Sequence, residues 1–360
     1  MMSPQRNVPT ILVTGATGLV GEALIARLHH EDVRIRALVR DRAGVLADDP
    51  GIEIVRGDLR DPGAVDRAVN GVDVVYHLGA AMSGTAEDFE STIVRGTHHV
   101  IDACMRHGVR RLVHVSSLGV VDSASRERDQ PVHETSALEP FPERRGAYTC
   151  AKAAAERIIR AAMAARGLRA VIVRPGQIVG PRAAQRCPNA TFAFGSAWIS
   201  VGAGSQALPL VYTDDVADAL VLAGTTPGVD GRIFHVIDPE EVTLNEYLDW
   251  YKHLPTRAFR TVRVPAALMQ SVATVMDAAS FVLRTPLPMT RYRVRALRPL
   301  APFDVTAATQ ILGWTPRVGV RAGLLRTFGE RRKAPRLAAI TQHLSLDESR
   351  PIAALTTSEE

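Results

Sequence analysis

Lysine is almost missing from this chain. Of its 43 basic residues only Lys152, Lys252 and Lys333 are lysines, and the other 40 are arginines. A skew of that size is a property of the whole composition, so a scattered arginine carries little weight and a well-placed lysine carries much. Cysteine is also scarce: Cys104, Cys150 and Cys187 are too few and too far apart for a disulfide framework or a four-ligand zinc site. His77, His98 and His99 have no metal-like spacing with other ligands, and no metal is assigned. The first apolar run, Thr10 to Val13, is too short for a secretion signal. The longest one, Val264 to Leu283, is interrupted by Gln270, Ser271, Asp277 and Ser280 and is expected to fall short of a spanning helix. The net charge of +5 is mild and its basic residues run over the whole length. That excludes a dedicated nucleic-acid binder, which concentrates its positive charge on one face. These absences lead to the expectation of a soluble cytoplasmic protein.

What is present is an ordinary folded composition: 360 residues, 46% hydrophobic and 22% charged. Over the first 180 or so positions, short β-rich runs alternate with amphipathic stretches. Strands are expected at Thr10–Thr14, Arg34–Val39, Glu53–Arg56, Val72–His77, Arg111–Ser116 and Ala170–Arg174. Helices are expected at Leu19–His29, Pro62–Val69, Phe89–His107 and Tyr148–Arg166, the last ended by Gly167. This alternation predicts an α/β fold, a doubly wound parallel sheet of the Rossmann type. The expected nucleotide-binding domain covers 9–180 with returning segments near 208–240. A smaller mixed substrate region covers 181–207 and 241–330, and a surface helix and tail cover 331–360.

The first strand runs directly into Thr14-Gly15-Ala16-Thr17-Gly18-Leu19-Val20-Gly21. Glycines at 15, 18 and 21 serve a tight turn, the approach of a pyrophosphate and close helix packing, while the helix N-terminus offers N–H groups to phosphates. Strand two ends at Arg40, where an acid would bind ribose hydroxyls. A guanidinium there suits the 2′-phosphate, so NADP is preferred over NAD. Asp58, with Leu59 beside it, follows strand three at the same sheet edge, placed to accept from an adenine amino group.

Tyr148 and Lys152 stand four apart at the start of a helix and share one face. Chance predicts roughly 0.05 such pairs for this composition. A phenol of ordinary pKa near ~10 needs a nearby positive charge to act as a base at neutral pH. Strand five ends in Ser116-Ser117 at the glycine-loop edge, where a hydroxyl can bond a substrate oxygen.

With these residues in view, the sequence resembles an extended short-chain dehydrogenase/reductase, of the NAD-dependent epimerase/dehydratase and 3β-hydroxysteroid dehydrogenase-like superfamily. The likeness runs over about 9–330 and rests on TGATGLVG, GDLRD, YHLGAA, VRGT, VSS, YTCAK, RPGQIVGPR, LVYTDDVADAL and ILGWTP. It implies Ser117, Tyr148 and Lys152 as the catalytic group, with Tyr148 moving the proton and Lys152 on the nicotinamide ribose. It further implies cofactor contacts from Ser116, Leu78, Gly79 and Ala80, with Pro175 against the carboxamide. It also implies a homodimer through helices 89–107 and 148–166. Two positions depart from the pattern: Ile93 stands where many members have an Asn, and Gln177 where sugar epimerases have one.

The substrate half is less explicit. Asp214 and Asp215 are expected to cap a helix beginning near Val216. The apolar 264–283 helix is either packed normally, a lid over a hydrophobic substrate, or in peripheral contact with a membrane. Arg291, Arg293, Arg295 and Arg298 form either a phosphate site or a solvated face. Met82, Ser83, Gln177 and Arg291 are the candidate substrate contacts. The expectation is an oxidoreductase that moves hydride between a nicotinamide and a secondary alcohol or ketone of sterol, 3-oxoacyl or sugar type. A nucleotide-sugar 4-epimerase or dehydratase, and a non-catalytic NADP-sensing regulator, are the alternatives.

Overall fold

Strand β1 (Thr10–Thr14), four of whose five residues are buried, leads through the glycine turn into α1 (Leu19–Leu28). The same unit repeats through β2 (Arg34–Val39), β3 (Ile52–Arg56), α2 (Pro62–Val69) and β4 (Val74–His77). The segment after β4 holds α3 (Ala86–Phe89) and α4 (Gly96–Arg106), followed by β5 (Arg111–Val115), α5 (Ala147–Arg166) and β6 (Ala170–Pro175). Short strands β7 (Gln177–Val179), β8 (Thr191–Phe194), β9 (Ala197–Val201), β10 (Ala207–Leu208) and β11 (Leu210–Tyr212) come next. Then α6 (Thr213–Thr225) leads to β12 (Ile233–Val236), β13 (Val242–Thr243), α7 (Leu244–Lys252), β14 (Arg260–Val264), α8 (Ala266–Leu283) and α9 (Arg291–Leu297). Two short helices, α10 (Thr306–Leu312) and α11 (Val320–Phe328), complete the order. This computed structural model describes residues 8–41, 44–181, 190–194, 197–252, 260–283, 290–297 and 301–328. The expected 331–360 helix and tail, Cys187 and Arg298 lie outside them.

The main sheet has seven strands in the order β12-β6-β5-β4-β1-β2-β3, all parallel. Each strand alternates its side chains between two apolar layers, as a sheet covered on both faces requires. One layer joins Val13, Val113 and Val173 to Leu24 of α1 and Leu220 of α6; the other joins Leu12, Leu112 and Ile172 to Val65, Val100 and Ile159. The strand order reverses between β1 and β4, and the crevice there is where such sheets bind ligands. Around the second half, Trp198, Leu208, Tyr247, Trp250 and Leu324 build a separate apolar cluster. The Rossmann-type architecture expected from the alternation is the one observed.

Three local expectations are corrected. The single helix expected at 89–107 is two helices joined by a wide π-helical stretch, Glu90–Arg95. The extra residue in that turn carries Ile93 inward, against Phe89, Ala151 and Ala155. Asp215 does not cap α6, which already begins at Thr213. Its carboxylate is turned away from the helix end and accepts the backbone N–H groups of Arg317, Val318 and Gly319 at 2.7, 2.9 and 3.0 Å. Asp214 faces Arg326 instead, at 3.7 Å. Finally, α8 is long and apolar enough to cross a membrane by length and composition, with a mean hydropathy of 1.5 over its 18 residues. Two of its polar interruptions are satisfied, Asp277 by Arg291 of α9 at 3.3 Å and Ser271 within the helix. Ser271 and Thr274 donate to the carbonyls of Ala267 and Gln270, one turn back.

Candidate functional site

The glycine turn is shaped by how little room it has. Gly15 has φ +71°, and a Cβ there would meet the Gly79 nitrogen at 2.8 Å. A Cβ on Gly21 would lie 2.2 Å from the Gly15 carbonyl, so any side chain would force α1 off the sheet. The N-cap of α1 is Gly18, with no side chain closing the helix end. The first N–H groups of α1 therefore point into the crevice, an arrangement suited to a pyrophosphate. Thr17, Leu19 and Val20 line the same crevice, with Arg40 exposed at the tip of β2.

Beneath this turn a buried histidine ties three elements together. The Thr97 hydroxyl donates to the Ile93 carbonyl at 2.6 Å, so it can only accept from His77 Nε2, 3.1 Å away. Nδ1 then accepts from the Thr14 hydroxyl at 2.9 Å, and that hydroxyl in turn accepts the Gly79 N–H at 3.1 Å. Burial, with Lys152 nearby, lowers the His77 pKa to about 3, so the ring stays neutral and the chain of bonds is fixed. This network sets the strand-end residues Leu78, Gly79 and Ala80 against the glycine turn.

Asp58 also reaches the crevice, but its carboxylate is engaged by Arg60, whose Nε and Nη2 donate at 3.1 and 2.8 Å. That hydrogen bonding holds the Asp58 carboxyl below its ordinary range. Leu59 closes the floor beside Gly79 and Gly96.

Helix α5 carries the polar centre. Gly146, at φ +110°, turns the chain into α5, and Tyr148 and Lys152 follow on one face. Tyr148 meets the edge of Phe89 with ring centroids 6.0 Å apart. The Lys152 ammonium is buried and donates to the Val115 carbonyl at 2.8 Å, at the end of β5. Desolvation lowers its pKa to about 8, partly opposed by the Glu156 carboxylate. Ser117 lies at the mouth of β5, where its hydroxyl accepts the Gly119 N–H at 3.1 Å. Ser116 is directed differently: its buried hydroxyl donates to Glu156 at 2.7 Å.

Glu156 was not singled out from the sequence, although it lies one helical turn beyond Lys152 and the spacing Tyr148, Lys152, Glu156 places all three on one stripe. It is fully buried and paired with an equally buried Arg174, whose Nε donates to it at 3.0 Å and whose Nη2 reaches its other oxygen. This ion pair locks α5 to the end of β6, just before Pro175. Arg145 is a second residue that motif reading passed over. It lines the crevice and donates to Glu139 at 3.1 Å, an acid that also accepts from the Tyr292 hydroxyl of α9.

All of this opens on one cleft of about 700 Å³. Gly15, Arg40, Asp58, Ser117, Tyr148, Lys152 and Pro175 line it, as do Met82 and Gln177. The far wall is apolar, made by Ala190, Leu208, Ala296, Leu297 and Phe303. Ser83 and Arg291 are not part of the lining. Ser83 is exposed, and Arg291 lies against Asp277 of α8, 3.3 Å away. Among the described residues no three histidine, cysteine or acidic side chains are grouped to hold a metal ion.

Comparison with known proteins agrees with this architecture. The sequence model of the NAD dependent epimerase/dehydratase family matches residues 11–236. A 2-alkyl-3-oxoalkanoate reductase of Stenotrophomonas maltophilia is 32% identical over 331 residues, covering 88% of this chain and 97% of that protein. Sterol demethylase protein B of Methylococcus capsulatus is 30% identical over 320 residues, covering 85% and 94%. Among solved structures, gox2253 superposes with a TM-score of 0.73 at 25% identity, covering 94% of this chain and 99% of that one. MoeE5, in complex with UDP-glucuronic acid and NAD, shares the fold with a TM-score of 0.64 at 24% identity, covering 89% and 97%. The chain therefore belongs to the NAD dependent epimerase/dehydratase family, and is an enzyme of its dehydrogenase, reductase and epimerase kind.

Proposed function

We propose that this enzyme is an NADP-preferring reductase of apolar 3-oxo compounds, working on the ketone of a 2-alkyl-3-oxoalkanoate or a similarly apolar skeleton. The observation that carries this reading is the cleft itself. It joins the glycine turn and the Ser117, Tyr148, Lys152 group at one end to the apolar wall of Leu208, Ala296, Leu297 and Phe303 at the other. Two relatives at 30% identity or more that cover most of the chain, a 2-alkyl-3-oxoalkanoate reductase and a sterol demethylase protein, fit the same substrate chemistry.

The residues present suit the nicotinamide cofactor. The close-packed glycines leave a cradle that any Cβ would fill, and the uncapped start of α1 complements a pyrophosphate. Arg40 would hold a 2′-phosphate, Asp58 and Leu59 the adenine, and Leu78, Gly79, Ala80, Ser116 and Pro175, which line the same cleft, the nicotinamide half. When bound, the reduced cofactor supplies the hydride. Ser117 holds the ketone oxygen by a hydrogen bond. Tyr148 donates its phenolic proton to that oxygen as charge develops there. Lys152 steadies the phenolate left on Tyr148 and binds the nicotinamide ribose.

Following NADPH and NADH consumption at 340 nm with 2-alkyl-3-oxo acids, 3-oxosteroids and nucleotide sugars tests the proposal. Consumption of NADPH with an apolar ketone supports it. Interconversion of a UDP-sugar without net cofactor use would move the enzyme to the epimerases. Cofactor binding without turnover of any of these would favour the sensing role.

A further inference from the structure

The charge of this chain is unevenly balanced. Between 257 and 298 the sequence holds eight arginines and a single acid, Asp277. This stretch thus carries more positive charge than the net +5 of the entire chain, and the remainder is acidic on balance. It is also where the largest apolar side chains face solvent. Phe281 is 87% exposed, Val282 76% and Val275 68%, with Leu268 and Leu283 more than half exposed. Among the residues of α8 only Met269 and Ala273 are buried, against Val201 of β9 and Val294 of α9.

We propose that α8 and the arginines flanking it dock this protein flat onto the surface of an anionic lipid bilayer. An apolar helix face bordered by arginines is the pattern that binds the boundary between headgroups and acyl chains. Standing upright would not serve. The 18-residue helix, about 27 Å long, would have to leave its packing to match the roughly 30 Å hydrocarbon core. Insertion would also strip Met269 and Ala273 from Val201 and Val294, and pull on β14, which pairs with β9 immediately before α8. A second copy of this chain is a poor occupant, since a two-fold interface would set the same arginine-rich, acid-poor stretch against itself. The docking helix is tied to the cleft, because α9 packs on the buried side of α8 and gives Ala296 and Leu297 to the cleft wall. The inference does not depend on the reaction proposed above.

Co-sedimentation of the full chain with vesicles tests it. Binding is expected to vesicles of equal parts phosphatidylglycerol and phosphatidylcholine, to weaken as salt rises, and to be absent with phosphatidylcholine alone. Phe281→Ser with Val282→Ser, a neutral pair of changes at side chains already in solvent, is expected to lower partitioning about tenfold or more with an unchanged melting temperature. Three results would overturn the proposal: no binding of the unaltered chain to anionic vesicles, equal binding by the serine variant, or a dimer that the serine variant dissociates while vesicle binding is nil.

Discussion

Replacing Glu156 by Gln removes one charge from a pair that has no solvent to fall back on. Both Glu156 and Arg174 are fully buried, and the carboxylate accepts from Arg174 Nε at 3.0 Å, from Arg174 Nη2 and from the Ser116 hydroxyl at 2.7 Å. A glutamine keeps one acceptor oxygen and turns an NH₂ donor toward groups that are donors themselves. The Arg174 guanidinium is then buried without its counter-charge, which costs about 3–5 kcal/mol. With a urea slope of about 3 kcal/mol/M, the unfolding midpoint is expected to fall by roughly 1–1.7 M. Substituting both partners by apolar side chains, Glu156→Leu with Arg174→Met, leaves no orphaned charge and is expected to recover most of that loss. The variant should also alter chemistry. Glu156 supports the charged form of Lys152, so its loss shifts the lysine pKa further down, and the alkaline limb of any profile that needs the Lys152 ammonium moves to lower pH with it. Urea titration of the three proteins, with a pH profile of cofactor binding, gives both readouts. A midpoint shift below about 0.3 M for Glu156→Gln, or a double variant no more stable than the single one, would refute the reasoning.

Other consequences follow from the same geometry. Arg40→Ala is expected to weaken NADPH binding about tenfold or more while leaving NADH nearly unchanged, measured by fluorescence titration. Gly21→Ala places a methyl 2.2 Å from the Gly15 carbonyl, so it should abolish cofactor binding and lower the melting temperature. Lys152→Met gives a pH-dependent result. The folded chain holds the Lys152 proton less tightly than the unfolded one, with a pKa near about 8 against 10.5. The buried ammonium therefore costs stability in full below about 8, and progressively less toward 10.5. Allowing for the lost bond to Val115, the methionine variant should be about 1–2 kcal/mol more stable at neutral pH and inactive. In urea titrations that advantage should disappear as the pH rises toward the ordinary lysine pKa.

Much of the nucleotide half was legible in the sequence because its signals are local. Turn glycines, short β-rich runs and the Tyr148, Lys152 spacing each report on a few neighbouring residues. The spans of β1 and α2 followed from such patterns, and so did the αL glycine after α5. What escaped was decided by contacts between distant segments. Nothing near Asp215 announces that its acceptors' donors lie about a hundred residues later, at 317–319. The pairing of Glu156 with Arg174 needs β6 beside α5, and the π-helical turn at Glu90–Arg95 depends on Ile93 finding a place against Ala151 and Ala155. For α8 the polar interruptions were read as keeping it short of a spanning helix, with peripheral membrane contact left open, because the hydrogen bond of Ser271 to the preceding turn is invisible in hydropathy alone.

The central claim is that Tyr148 moves the proton in a reduction driven by NADPH. It is tested most directly by comparing turnover of a 2-alkyl-3-oxo acid by the unaltered enzyme and by Tyr148→Phe, with NADPH affinity measured in parallel. The account predicts a loss in kcat of about 10²–10⁴-fold with cofactor affinity within a few-fold of the original. Turnover by Tyr148→Phe within about tenfold of the unaltered enzyme would contradict it.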